Sequence, residues 1–203
     1  LLLILLVVLF AAVATFLMIK HKDDILPFSR SNLGIIVSSE LVFLGFYFAW
    51  MVFVAHASEI NHTEKPMDFA FMNAILRSNS FPPDDPWLAG HSISYYYFGH
   101  MMMAGITKLT AISSSISYNL SIVLIASLVA QGAYGMVYNL IKISGANVRT
   151  ALVFALAAPI FIGLVSNLEG ILEFIHAQGW GSGNFWNWVG IKGLNASSQA
   201  ASF

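Results

Sequence analysis

Apolar runs long enough to cross a bilayer constrain this chain more than any other feature. A hydrocarbon core of about 30 Å requires roughly 20 apolar residues in an α-helix. Four stretches reach or approach that length, at residues 1–19, 33–55, 116–141 and 150–165. Only 9% of the 203 residues are charged, against about 25% in soluble domains, and the mean hydropathy is +0.75. The sequence predicts an all-α, polytopic membrane protein with about four spanning helices in a single transmembrane domain, residues 1–203.

Composition excludes several kinds of site. The chain contains no cysteine, so it offers neither a disulfide framework nor a thiolate metal site. A net charge of -1 provides no basic surface for nucleic acid, and we expect no nucleic-acid partner. The chain opens with LLLILLVVLF and stops at GLNASSQAASF, and we expect it to be a fragment of a longer protein.

Charge between the apolar runs predicts the topology. Segments 20–32 and 142–149 are basic, and short basic loops favour the cytoplasmic side. Segment 56–94 is mostly acidic; its charged residues are Glu59, Glu64, Lys65, Asp68, Arg77, Asp84 and Asp85. Both basic segments fall inside only if residues 95–112 lie along the membrane surface instead of crossing it. We therefore expect a plasma-membrane protein with a large extracytoplasmic loop at 56–115, in which 95–112 forms an interfacial helix that begins with the tyrosine triplet.

A second interfacial helix is predicted to open at Pro66, since proline suits the first helical position. Its apolar residues fall on one broad face, and Asp68 lies in the middle of that face. Two interpretations of Asp68 are open. A carboxylate in an apolar stripe is costly unless it has a partner, whereas an acid in the first turn is favoured by the helix dipole.

The outer loop also concentrates candidate chemistry. A carboxylate within hydrogen-bond reach can act as general base on a hydroxyl, and several carboxylates together can hold a divalent cation. The alternative for Asp84-Asp85-Pro86 is a simple turn signal. No metal-ligand set is assigned, and a divalent cation is left open as a cofactor. Polar residues inside spans, Glu40 and Gln131, are candidates for a transport path.

The segment after the fourth run is rich in glycine and tryptophan. It predicts an amphipathic helix holding Glu169, Glu173 and His176. Indoles settle at the headgroup level of a membrane, so three further residues are predicted to lie at the interface: Trp180, Trp186 and Trp188.

The run TEKPMDFAFMNAILRSNSFPPDDPWLAGHSISYYYFGH resembles the signature of the uncharacterised polytopic "YYY" membrane-protein family of archaea and Chloroflexi-type bacteria. The likeness is close over about residues 59–141 and follows by pattern elsewhere. That family is usually much longer than this chain, in keeping with a fragment.

A more distant likeness concerns function. The order of acid, short helix, prolines and aromatic cluster is similar to the first outer loop of GT-C glycosyltransferases, which take a sugar from a polyprenyl-phosphate carrier. The resemblance implies a GT-C-like N-terminal part with Glu64 as the catalytic acid and Asp68 as its close rival. It implies that Asp84 and Asp85 position the donor or a metal ion and that Lys65 contacts a lipid phosphate. The remaining site-lining residues it implies are Tyr96, Tyr97 and His100.

This sequence departs from the usual GT-C pattern, because Glu64-Lys65 stands where Asp-Glu or Asp-x-Asp is common. Three functions stay open from sequence: a glycosyltransferase that uses a lipid-linked sugar, a transporter or channel, and a non-enzymatic scaffold subunit. Only the first requires a polyprenyl-phosphate-linked sugar as a partner in addition to membrane lipid.

Overall fold

A computed structural model of the chain describes residues 2–61, 63–165, 172, 175–176 and 178–190. Within these ranges the regular structure is helical, without strands, and three helices are long and apolar enough to span a membrane. The predicted all-α membrane protein is confirmed. The elements are α1 (Leu2–Lys20), α2 (Lys22–Ser31), α3 (Leu33–His56), α4 (Lys65–Arg77), α5 (Phe98–Thr110), α6 (Ser114–Ile143), α7 (Val148–Ala155), α8 (Ala157–Ile160), a π-helical turn (Phe161–Val165) and α9 (Gly183–Val189).

The three candidate spans are Leu3–Lys20, Leu33–His56 and Ser114–Ile143, close to three of the predicted runs. The fourth run is helical but interrupted: α7 ends at Ala155, and a short α8 and a π-helical turn follow. Pro159 accounts for the break, because proline lacks an N–H and its ring clashes with the carbonyl four residues earlier, here that of Ala155.

The basic segment after α1, predicted as a loop, contains the helix α2. Asp23 and Asp24 lie in its first turn and Arg30 in its last, the arrangement that the helix dipole favours. The sequence pattern missed this helix because its ten residues form no apolar run.

Contacts divide the chain into two units, residues 1–128 and 129–203. In the first unit α4 packs against α5, and a core forms around Met72, Ile75, Ala104 and Tyr118, the last from the first half of α6. The predicted helix at Pro66 is present as α4.

A second cluster lies on the neighbouring side of α4, where Phe71 and Ala74 pack with Ile93 from the loop before α5. Helix α4 is therefore covered on two sides, which fixes the direction of its first turn.

Helix α5 begins at Phe98, so the tyrosine triplet precedes the helix instead of opening it. Its 13 residues extend about 20 Å at 1.5 Å per residue, less than a bilayer core of about 30 Å. A helix of this length suits an interfacial position, which stays a prediction.

In the second unit, the buried residues of the α6 C-terminal half include Tyr134, whose hydroxyl donates to the Leu152 carbonyl of α7 at 3.2 Å. Near α9, the Trp186 indole N–H donates to the Trp180 carbonyl at 3.0 Å. Trp186 is buried, whereas Trp180 and Trp188 are exposed, and the interfacial position of all three stays a prediction. The predicted amphipathic helix lies mostly outside the described residues, Glu169 and Glu173 included.

Candidate functional site

The packing of α4 on α5 brings together one titratable side chain from each helix. Asp68 lies in the first turn of α4, and His100 lies in the first turn of α5. The His100 Nε2 atom is 3.3 Å from the Asp68 Oδ1 atom. Both side chains are partly accessible, His100 at 21% and Asp68 at 31%, so a ligand from solvent can reach the pair.

The second ring nitrogen of His100 also has a partner. Nδ1 lies 3.1 Å from the carbonyl oxygen of Tyr96, which can only accept a hydrogen bond. With Nδ1–H donating to that carbonyl, the contact at Nε2 needs a further proton, either on Nε2 itself or on the Asp68 carboxyl. The geometry therefore places a carboxyl group and an imidazole within hydrogen-bond reach of each other, which we call the Asp68–His100 pair.

An aromatic wall stands beside this pair, built around the buried ring of Phe71. The Phe71 centroid lies 5.5 Å from that of Tyr95, 5.9 Å from that of Trp87 and 6.0 Å from that of His100. The Tyr96 ring packs edge-on to Tyr95 at 5.2 Å. Separations in this range favour tilted and edge-to-face ring contacts.

Two nearby carboxylates, Glu64 and Asp68, influence the phenol of Tyr95. The Glu64 carboxylate is the main cause of a Tyr95 pKa above its ordinary 10.0, followed by burial of the hydroxyl, the Asp68 carboxylate and Tyr96. A negative charge nearby opposes formation of a phenolate. Tyr95 therefore keeps its proton at physiological pH and remains a hydrogen-bond donor next to two carboxyl groups.

Glu64 and Lys65 stand at the beginning of α4. Glu64 is exposed, and its carbonyl accepts the first helical hydrogen bond, from the Asp68 N–H at 2.9 Å. Lys65 is half-buried and three positions before Asp68, so both side chains leave the same face of the helix. The acid and the cation that the GT-C resemblance singles out thus lie beside Asp68.

Tyr97 lies between the two helices that carry this pair. It is half-buried and packs against both cores around α4, the Met72 cluster and the Phe71 cluster. This packing holds Tyr97 between α4 and α5, and its place in the lining of the site stays a prediction.

Asp85 is engaged in its own turn. Its Oδ1 accepts from the backbone N–H groups of Trp87 at 2.8 Å and Leu88 at 3.1 Å. The turn interpretation describes this residue, since such bonds let an aspartate shape a reversal of the chain. Asp84 is exposed and forms an isolated bridge with Ser92.

A resident metal ion finds no ligand cluster in the described parts of the chain, where no three His, Asp or Glu side chains come together. Sequence reasoning missed Tyr95, Trp87 and Phe71 as members of the site. The tyrosine triplet in the sequence indicated an aromatic site. Which of the three tyrosines lies near the acids depends on where α5 begins, and the sequence did not show this.

The fold is that of a polytopic helical membrane protein. Its loop at residues 56–115 holds the Asp68–His100 pair next to the aromatic wall. The family described as "Uncharacterized membrane protein (DUF2298)" matches residues 1–194, and the chain belongs to that family. This agrees with the expectation of an uncharacterised membrane family. No curated protein and no solved structure matches the chain.

Proposed function

We propose that this protein is a GT-C-like membrane glycosyltransferase, or the N-terminal part of one. It moves a sugar from a polyprenyl-phosphate-linked donor to an acceptor hydroxyl on the extracytoplasmic face. The observation that carries the proposal is the Asp68–His100 pair, an accessible carboxylate held by an imidazole in the loop where the GT-C resemblance requires a catalytic acid.

The reaction needs a base and a stabilised leaving group. The acceptor oxygen bonds to the anomeric carbon, the bond from that carbon to the phosphate oxygen breaks, and the acceptor proton must be taken up. His100 occupies one lone pair of Asp68, and the carboxylate has further lone pairs to receive that proton. His100 acts as a positioning residue, because its hydrogen bond to Tyr96 fixes the ring against the carboxylate.

The departing polyprenyl phosphate carries negative charge away from the sugar. Lys65 leaves the same face of α4 as Asp68 and supplies the cation nearest in sequence to the base. A lysine ammonium binds phosphate as a point charge. Lys65 therefore stabilises the negative charge of the leaving phosphate.

The geometry favours Asp68 over Glu64 as the base. Asp68 is held by His100, whereas Glu64 is exposed on the preceding turn. Glu64 is then left to orient the acceptor hydroxyl near the Tyr95 phenol, whose pKa its carboxylate raises.

The test is transfer of radiolabelled sugar from a panel of lipid-linked donors in membranes that hold the full-length protein. Asp68→Asn is expected to lower transfer by about 10²- to 10⁴-fold, the usual contribution of a positioned general base. Glu64→Gln should lower it less, and Glu59→Gln is the matched control, an exposed acid of the same loop.

Two results decide the matter. Wild-type membranes that transfer sugar from no donor in the panel would overturn the proposed function. Transfer lost in Glu64→Gln but kept in Asp68→Asn would move the base to Glu64.

A further inference from the structure

The outer loop presents aromatic rings to solvent at one place. Tyr96 is 86% exposed and Trp87 is 64% exposed. The residues just before α5 form a shallow concavity of about 550 Å³, which is lined by Ile93, Ser94, Tyr95 and Tyr96. The concavity is open to solvent, so it can hold one face of a ligand without enclosing it.

The wall of this concavity is supported from behind. Phe71 is 4% exposed and contacts both Tyr95 and Trp87 with its ring. Ile93 is equally buried and packs with Phe71 in the same cluster. The rings nearest to this core are therefore held in place before any ligand arrives, which lowers the entropy cost of binding.

The charge next to the rings argues against a lipid-embedded anchor. Glu64 and Asp68 are the acids whose carboxylates act on Tyr95. Immersing a carboxylate in an apolar phase is costly, and anionic headgroups would be repelled. An exposed aromatic face whose Tyr95 is influenced by two carboxylates suits a ligand that is apolar on its face and rich in hydroxyls at its rim.

We infer that the concavity at Ile93–Tyr96 binds a pyranose ring of the acceptor, stacked on Tyr96 with its hydroxyl rim toward Asp68. We assign the acceptor here because the hydroxyl that loses its proton must approach the base. The Tyr96 carbonyl oxygen lies 3.1 Å from His100 Nδ1, and the same imidazole contacts Asp68 at 3.3 Å. This assignment rests on the proposed function, and it makes the acceptor a glycan.

The experiment measures sugar binding without any transfer. The full-length protein is placed in lipid nanodiscs, which avoids glycoside detergents, and saturation-transfer NMR is recorded with a panel of methyl pyranosides. Ring C–H protons of at least one glycoside should receive saturation. Binding should weaken about tenfold in Tyr96→Ala and persist in Tyr96→Phe, which keeps the ring. Phe98→Ala is the control, an exposed aromatic outside the lining of the concavity.

A second measurement tests whether Tyr96 is instead an anchor inserted into the lipid. The sequence has no cysteine, so Tyr96→Cys takes a single fluorophore. The inference predicts little quenching of this fluorophore by brominated lipids.

Strong quenching would overturn the inference and make Tyr96 a membrane anchor. Absence of saturation transfer to every glycoside would overturn it as well, even in a protein that transfers sugar. Binding without transfer from any donor would support the inference and contradict the proposed function instead.

Discussion

The imidazole of His100 meets the carboxylate of Asp68 at 3.3 Å, although the two residues are 32 positions apart in the sequence. Each lies in the first turn of its own helix, and the packing of α4 on α5 closes the gap. An acid in an otherwise apolar stripe needs a partner, and His100 is that partner.

The Tyr95 phenol should titrate above its ordinary pKa of 10.0, with Glu64 as the principal cause. Removing that negative charge makes the phenolate easier to form, so Glu64→Gln should lower the Tyr95 pKa. The measurement is an alkaline titration of tyrosinate absorbance, with Tyr95→Phe identifying the contribution of this residue. Glu59 is not among the causes of the raised pKa, so Glu59→Gln should leave the Tyr95 pKa unchanged.

The raised pKa of Tyr95 also makes the stability of the loop depend on pH. A group whose pKa is raised by folding contributes stability that is complete below its unfolded pKa and is lost as the pH rises through the folded value. Tyr95 should therefore weaken the loop fold only above about pH 10. A loop that loosens near neutral pH in wild type but not in Tyr95→Phe would contradict this.

Gly181 should resist substitution. Its φ is +97°, and a Cβ there would lie 2.9 Å from the Trp186 Nε1 atom, which donates to the Trp180 carbonyl. Gly181→Ala should cost about 1–3 kcal/mol through backbone strain and loss of that bond. Loss of one hydrogen-bonded indole N–H resonance, assigned with Trp186→Phe, reports the change.

Gly183 provides the matched control for this substitution. It lies at the start of α9, and a Cβ there meets nothing within 4 Å. Gly183→Ala should be neutral or slightly stabilising. An equal loss of the indole resonance in both variants would show that the contact at Gly181 is not the cause.

Helix α5 should lie along the outer surface. Ser94 and Ser113 flank this helix and both are exposed, and the sequence has no cysteine to interfere with labelling. Ser94→Cys and Ser113→Cys should both react with a membrane-impermeant maleimide in intact cells. Ser31→Cys, in α2, should react only after permeabilisation. Protection of Ser113→Cys alone would show that α5 crosses the bilayer.

Sequence reasoning predicted the parts of the fold that depend on local physics. Apolar length gave three spans, and proline at a first helical position gave α4. It could not reveal what tertiary packing or a local break decides. Pro159 interrupts the fourth run, and Tyr97 is drawn into the core between α4 and α5.

The site was predictable in its acids but not in its pairing. Asp68 stood out because it interrupts an apolar face, whereas His100 gave no sequence signal as its partner. That contact depends on how two short helices pack. Two roles were open for Asp85, positioning the sugar donor or shaping a turn. The hydrogen bonds that it accepts from the Trp87 and Leu88 N–H groups fit the turn.

The most direct measurement is a double-mutant cycle on sugar transfer with Asp68→Asn, His100→Gln and the double variant. Neither change should cost more than about 1 kcal/mol in stability, because both side chains are partly exposed, so lost transfer reports chemistry. If His100 acts through Asp68, His100→Gln lowers kcat by about 10-fold or more with little change in KM, and the double variant is no slower than Asp68→Asn alone. Effects that multiply in the double variant, or wild-type transfer by His100→Gln, would contradict the paired site.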